Sequence, residues 1–176
     1  VQEQVISARS LYAPAIQKML PWLEKAAGQA LNPNQEKALR LLIQYYETGD
    51  VRLFDEFNKA WLADPEPAVD FIHGFIEVYG DPLGIKGAYE GLVMVRDPDA
   101  TNKFGQLGKA AAWFEEHAPF MPAHKKSKPQ GIRYNVVNVV AEAGDASPTT
   151  PIGINLPNAD WMRARYGSKS VSLANI

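Results

Sequence analysis

The 176-residue sequence contains no cysteine. Disulfides and thiolate metal sites are therefore excluded, although the compartment is not decided. Long apolar runs are lacking too, since none approaches the roughly 20 residues of a membrane span. Neither charge sign is in large excess: 18 Lys and Arg stand against 20 Asp and Glu, for a formal net charge of −2. A nucleic-acid surface needs a basic stripe or patch. The densest basic cluster, Lys125, Lys126 and Lys128, falls in a Pro-rich loop and reads as a solvated flap. Histidine is scarce. His73, His117 and His124 are the three present, and none stands in an H-E-x-x-H arrangement that would set two imidazoles on one helical face. His117 follows Glu115 and Glu116 in a charged helix end, His124 lies in the loop, and His73 reads as an ordinary hydrogen-bonded strand residue. There is no G-x-S-x-G turn, no Walker loop and no G-x-G-x-x-G, so nucleophilic hydrolysis and phosphate cradling have no support. No catalytic residue and no metal ligand is assigned.

A charged stretch followed by an apolar core, the mark of a signal peptide, is also missing from the N-terminus. The chain starts at Val1 rather than Met, and Val171–Ile176 reads as a strand cut short. Both ends suggest an excised piece, from which a leader or partner domains could have been lost. The compartment is left open, with a cytoplasmic location preferred to export.

What is present is a globular balance of 46% hydrophobic and 22% charged residues. Residues 1–64 read as a helical subdomain. Ile16, Met19, Leu20 and Leu23 follow helical spacing, and Pro14 and Pro21 are expected to start or break turns. Asn32-Pro33 signals a second helix through Leu39, Leu42, Ile43 and Tyr46, which Gly49 ends. Asp50 is a natural N-cap for a third, with Leu53, Phe54, Phe57 and Trp61 on one face.

The character changes at Asp64-Pro-Glu-Pro67. Residues 65–176 read as a β-rich region with one inserted helix near 98–117. Ala68–Tyr79 and Ala88–Val95, rich in β-branched and aromatic residues, flank the turn Gly80-Asp-Pro-Leu-Gly84 and predict a long hairpin. Gly74 and Gly91 inside it suggest bulges or close backbone approach. The inserted helix opens at Asp97-Pro-Asp99, with Phe104, Leu107, Ala111 and Phe114 marking its buried side. Ile132–Ala141 is a clear strand, Gly153–Asn158 a short extended segment, and Asn158 or Asp160 caps a brief helix through Trp161 and Arg165. The fold class is α+β: N-terminal helices, then an antiparallel β-hairpin and further strands forming a partial barrel.

Two features could carry chemistry. Glu77 and Glu90 can face each other across the hairpin, as a glycosidase pair would, although strands also carry carboxylates for solubility or register. In Pro151-Ile-Gly-Ile-Asn-Leu-Pro-Asn158, the prolines argue for an edge strand, and an exposed edge can pair with a bound peptide. Asparagine amides both donate to and accept from a peptide backbone, and a nearby carboxylate would attract a free α-amino group. Asn155 and Asn158 could equally stabilise a turn and cap a helix.

The stretch Gly74–Gly91, GFIEVYGDPLGIKGAYEG, resembles the long hairpin of the dipeptidyl peptidase III family. Gly153–Asn158 and Val171–Asn175 resemble later stretches of that family, in the same order and at similar spacing. The resemblance is clear from about residue 66 onward. It implies a two-lobed zinc exopeptidase that releases dipeptides from the N-termini of short peptides. The family's H-E-x-x-x-H helix and its later glutamate helix lie downstream of the matched region and are absent from this sequence. The chain is therefore expected to bind no zinc and to be inactive by itself, its partners being short peptides and the missing zinc-bearing lobe, with no nucleic acid and no membrane. By the resemblance, Asn155 and Asn158 match two substrate-binding asparagines, and Gly153 matches a position whose backbone faces the peptide. Asp70 falls where a glutamate holds the substrate amine, and Ile72 where some members have a tyrosine. A noncatalytic peptide-binding module and a purely structural domain are the alternatives.

Overall fold

The three helices that open the computed structural model, which describes residues 2–127, 134–147 and 150–176, follow from local capping chemistry. Helix α1 spans Ala13–Ala27, α2 Pro33–Thr48 and α3 Val51–Leu62. The Asn32 side chain accepts from the Gln35 N–H, so one of the orphan donors at the start of α2 is satisfied. Gly49 ends α2 at φ 76°, where a Cβ would meet Val5 Cγ1 at 2.2 Å, so only glycine fits that turn. Asp50 caps α3 by accepting from the Arg52 N–H, and the hydrogen bond to the Arg52 side chain is the main cause that holds its carboxyl below the usual range. Ile16, Leu23, Leu39, Leu42, Ile43, Tyr46, Phe57 and Trp61 form the core of this unit. Pro21 departs from its expected role. It lies inside α1 on the exposed side, where the missing N–H costs one helical hydrogen bond while the buried stripe Ile16–Leu23 carries the helix through.

The chain's contacts divide it into two compact units. One is the helical part through Pro67 together with Ala164–Gly167, and the other is Ala68–Arg163 with Ser168–Ile176. The second is built on a five-stranded sheet: β1 Val69–Glu77, β2 Ala88–Arg96, β3 Tyr134–Gly144, β4 Gly153–Leu156 and β5 Lys169–Leu173. Strand order is β1-β2-β3-β5-β4. All neighbours are antiparallel except β3 and β5, which run parallel. Helix α6, Asp160–Tyr166, lies in the crossover between them.

The β1–β2 pair is the expected hairpin. Asp70, Ile72 and Gly74 oppose Met94, Leu92 and Glu90, and all six are buried, which identifies the inner face of the sheet. Two contacts show that the sheet curls into a half-barrel. Lys169 Nζ on β5 donates to Asp70 Oδ2 on β1 at 3.1 Å, across the two intervening strands. Asn158 Nδ2, just past β4, donates to the Ile76 carbonyl on β1 at 2.9 Å.

The inserted segment differs from its prediction in two ways. It forms two helices, α4 Pro98–Lys109 and α5 Ala111–His117, which meet at Ala110. Its apolar side is not buried: Phe104, Leu107, Trp113 and Phe114 are all exposed. His124, placed by sequence in a loop, lies in a 3-10 turn at Pro122–His124. The strand expected at Ile132–Ala141 begins, among the described residues, at Tyr134 and runs on to Gly144; Ile132, Arg133 and Lys128 lie outside the described residues.

Candidate functional site

Strand β4 ends the sheet, so one of its sides has no partner strand among the described residues. The Leu173 N–H donates to the Ile152 carbonyl at 3.0 Å, which makes 152 and 173 a hydrogen-bonded pair. Antiparallel pairs alternate, so Ile154 and Leu156 turn their backbone groups toward β5, while Gly153 and Asn155 turn theirs to the free side. Gly153 and Asn155 are exposed, and Leu156 is buried. A Cβ at Gly153 would stand 3.0 Å from the Val171 carbonyl oxygen, so glycine keeps this strand close to β5. Asn155 Oδ1 accepts from Ser170 Oγ at 3.1 Å. Asn158, exposed beyond a cis Leu156–Pro157 bond, spends its amide on Ile76 rather than on capping α6, while its carbonyl accepts from Arg163.

Asp70 lies elsewhere on the inner face. It is buried, and its ion pair with Lys169 has side chains 6% and 5% exposed. Its Oδ2 accepts from Lys169 Nζ and its Oδ1 from the Phe71 N–H. Ile72, 3% exposed, packs opposite Leu92 in the core.

Glu77 and Glu90 do come together, by a route that alternation does not give. Phe75 opposes Tyr89 while Glu77 opposes Ala88, so Ile76 is a bulged extra residue. The bulge turns Glu77 onto the face that Glu90 occupies. Glu90 is pushed up to about 8, by burial first and then by the neighbouring Glu77 and Asp145 carboxyls. Asp145 is brought in by Gly144 at φ 71°, where the backbone passes so near Tyr89 that a Cβ would sit 2.1 Å from its carbonyl oxygen. On the opposite face, His73 Nε2 meets the Tyr89 hydroxyl at 3.1 Å, and burial lowers the imidazole to about 4. Tyr89 lies over Gly91, so what approaches that glycine is a side chain. His117 stacks on Trp113 and its Nδ1 meets the Trp113 carbonyl oxygen at 2.8 Å. Among the described residues, no group of three or more His, Cys, Asp or Glu could hold a metal ion, and none of the described helices is long and apolar enough to cross a membrane.

A curled mixed sheet with a free, asparagine-bearing edge is the setting in which comparison with known proteins becomes informative, and the comparisons place the chain among peptidases. It belongs to peptidase family M49, whose model matches residues 1–176. Dipeptidyl peptidase 3 of Rattus norvegicus is 35% identical over 168 residues, covering 96% of this chain and 22% of that protein. The Homo sapiens protein of the same name is 34% identical over the same span, again 96% and 22%. The solved structure of DPP III from Caldithrix abyssi matches with a TM-score of 0.80 at 29% identity, covering 93% of this chain and 31% of that one. The chain thus spans about a fifth of the length of the curated relatives it matches.

Proposed function

We propose that this chain is the peptide-holding portion of a dipeptidyl peptidase III-like enzyme that removes dipeptides from the N-termini of short peptides. A peptide lies along β4 as an added strand. Gly153 and Asn155 supply main-chain hydrogen bonds on the free side, and the Asn155 and Asn158 amides grip the peptide backbone. The observation that carries this reading is the alternation fixed by the Ile152–Leu173 bond, which turns the backbone of those two residues outward. Zinc, in this reading, is held by the remainder of the complete polypeptide, where it supplies Lewis-acid activation of water. Among the described residues no group of three or more His, Cys, Asp or Glu comes together to hold it, and the task of this portion is to fix the substrate's register. Asp70 enters as an amine anchor only if Lys169 yields; while paired, it shapes the half-barrel.

The test is titration of the chain with a short peptide, followed by amide NMR. Shifts should centre on Gly153 and Asn155. Asn155→Ala should weaken binding by about fivefold or more, the loss of one or two hydrogen bonds. Shifts that avoid β4 would sink the proposal. A second reading has its own support, because both asparagines already bond within the chain. If they serve folding alone, their alanine variants lower stability and leave peptide titrations unchanged.

A further inference from the structure

Opposite charges line one cleft of the helical unit without pairing. The cleft, of about 620 Å³, is walled by the segment before α1, by α1 itself and by the last turn of α2. Ala8 and Leu20 supply apolar surface, and Arg9, Gln17, Glu47 and Thr48 supply polar groups. The wall is fixed by its own bonds. The Ala8 N–H donates to the Tyr46 carbonyl at 2.7 Å, the Ala8 carbonyl accepts from Gln17 Nε2 at 2.7 Å, and the Thr48 hydroxyl donates to the Gln44 carbonyl. Arg9 and Glu47 differ. Both are exposed, and neither side chain has a hydrogen-bond or ion-pair partner among the described residues. Arg40 and Arg52, by contrast, are each paired with a carboxylate. Glu47 also stands at the negative end of the α2 dipole, whose last turn holds no basic side chain. The chain then enters α1 through Tyr12 at φ 64°, a backbone strain of the kind that collects at ligand clamps and switch segments.

We infer that this cleft binds a free dipeptide as its zwitterion. The ligand's ammonium group meets the Glu47 carboxylate at the negative end of α2, and its carboxylate meets the Arg9 guanidinium, whose planar fork matches a carboxylate. Ala8 and Leu20 pack against an apolar side chain of the ligand. Arg9 and Glu47 do not reach each other as an ion pair, so a ligand that satisfies both must hold its own charges apart. A free amino acid carries both charges on one carbon. A dipeptide sets a peptide unit between them, on Cα atoms about 3.8 Å apart. The size of the cleft suits a small ligand, for which sites run roughly 300–1,000 Å³. This inference goes beyond the β4 edge: every residue it uses belongs to the helical unit, and it holds whether or not a peptide adds to the sheet.

The experiment titrates this chain with alanyl-leucine, with its N-acetyl form and with its C-terminal amide, reading backbone amide shifts by NMR. The free dipeptide should shift Ala8, Arg9, Glu47 and Thr48 and bind about threefold or more tighter than either blocked form, the scale of one exposed charge pair. Arg9→Gln should abolish the preference over the amide and keep the preference over the acetylated form. Glu47→Gln should do the reverse. Neither side chain has a partner to lose, so both variants should keep the wild-type melting temperature, and the reciprocal losses separate recognition from general disruption. Equal binding of the blocked forms, preferences that survive both substitutions, or free leucine binding as tightly as the dipeptide overturns the inference. Shifts confined to Gly153 and Asn155 also overturn it and leave the β4 reading standing. Cleft shifts with none on β4 support it and count against that reading.

Discussion

Asp70 and Lys169 stand 99 positions apart in sequence and meet as an ion pair with both side chains almost fully buried. Such a pair gains little over a well-packed apolar pair, but losing one partner strands a charge in the interior. Lys169→Met should therefore cost about 3–5 kcal/mol in urea unfolding, and adding Asp70→Leu should restore most of it. A single variant within about 1 kcal/mol of wild type would mean that the contact does not latch the half-barrel. Glu90 works in the opposite sense. Its folded-state pKa of about 8 lies above the ordinary value of 4.5, so the folded chain holds the proton more tightly than the unfolded one. The stability it contributes is fully present below about pH 4.5 and is lost as pH rises through 8. Glu90→Gln removes this dependence, so the variant should melt above wild type at pH 8, by about 4 °C or more, with a much smaller gap at pH 5. Equal gaps at the two pH values would count against a raised Glu90. Of the two, only the facing of Glu77 and Glu90 was readable in the sequence. An Asp and a Lys separated by most of a domain leave no periodic trace, and the Glu77–Glu90 contact, foreseen as a facing pair, depends on a bulge that Ile76 does not announce.

At the level of elements, glycine and proline were the readable signals. Pro82 and Gly84 marked the hairpin turn, Gly49 the end of α2, and the prolines around Gly153–Asn158 an edge strand, because each of these residues restricts or frees the backbone in a way side-chain pattern cannot override. Gly144 is the last residue of β3 and takes φ 71° against Tyr89. Gly144→Ala should destabilise the sheet by about 1–2 kcal/mol from backbone strain alone, with more from the clash. Hydrogen exchange should then rise at the Asp145 amide, which donates to the Tyr89 carbonyl oxygen. Protection unchanged there would show that the turn relaxes freely. The split of α4 from α5 was missed because Phe104, Leu107, Ala111 and Phe114 keep one period across the break, while Gly105 and Gly108 weaken the first helix just before it.

For the whole molecule, α+β class, the order of helices before strands and the partial barrel could be read, since composition and period change together at residues 64–67. Strand direction could not. Nothing in an apolar alternation says whether β5 joins β3 parallel or antiparallel, and the parallel choice is what sends the chain out through β4 and α6 before it returns. The apolar side of α4 and α5 was expected to be covered and is exposed; residue pattern records that a face is apolar without saying what lies against it. The edge strand was located from proline placement, whereas the buried pairing of Asp70 with Lys169 left no comparable signal.

The parallel pairing of β3 with β5 has a bearing on how such a chain could diversify. Because β4 is threaded inside that crossover, its alignment with any guest strand is inherited from β5, whose own alignment is inherited from β3. Adding or deleting one residue between Asn158 and Lys169 would leave the edge geometry unaltered so long as β5 holds its place. The same change between Lys169 and Leu173 would invert which side chains point outward along the rim.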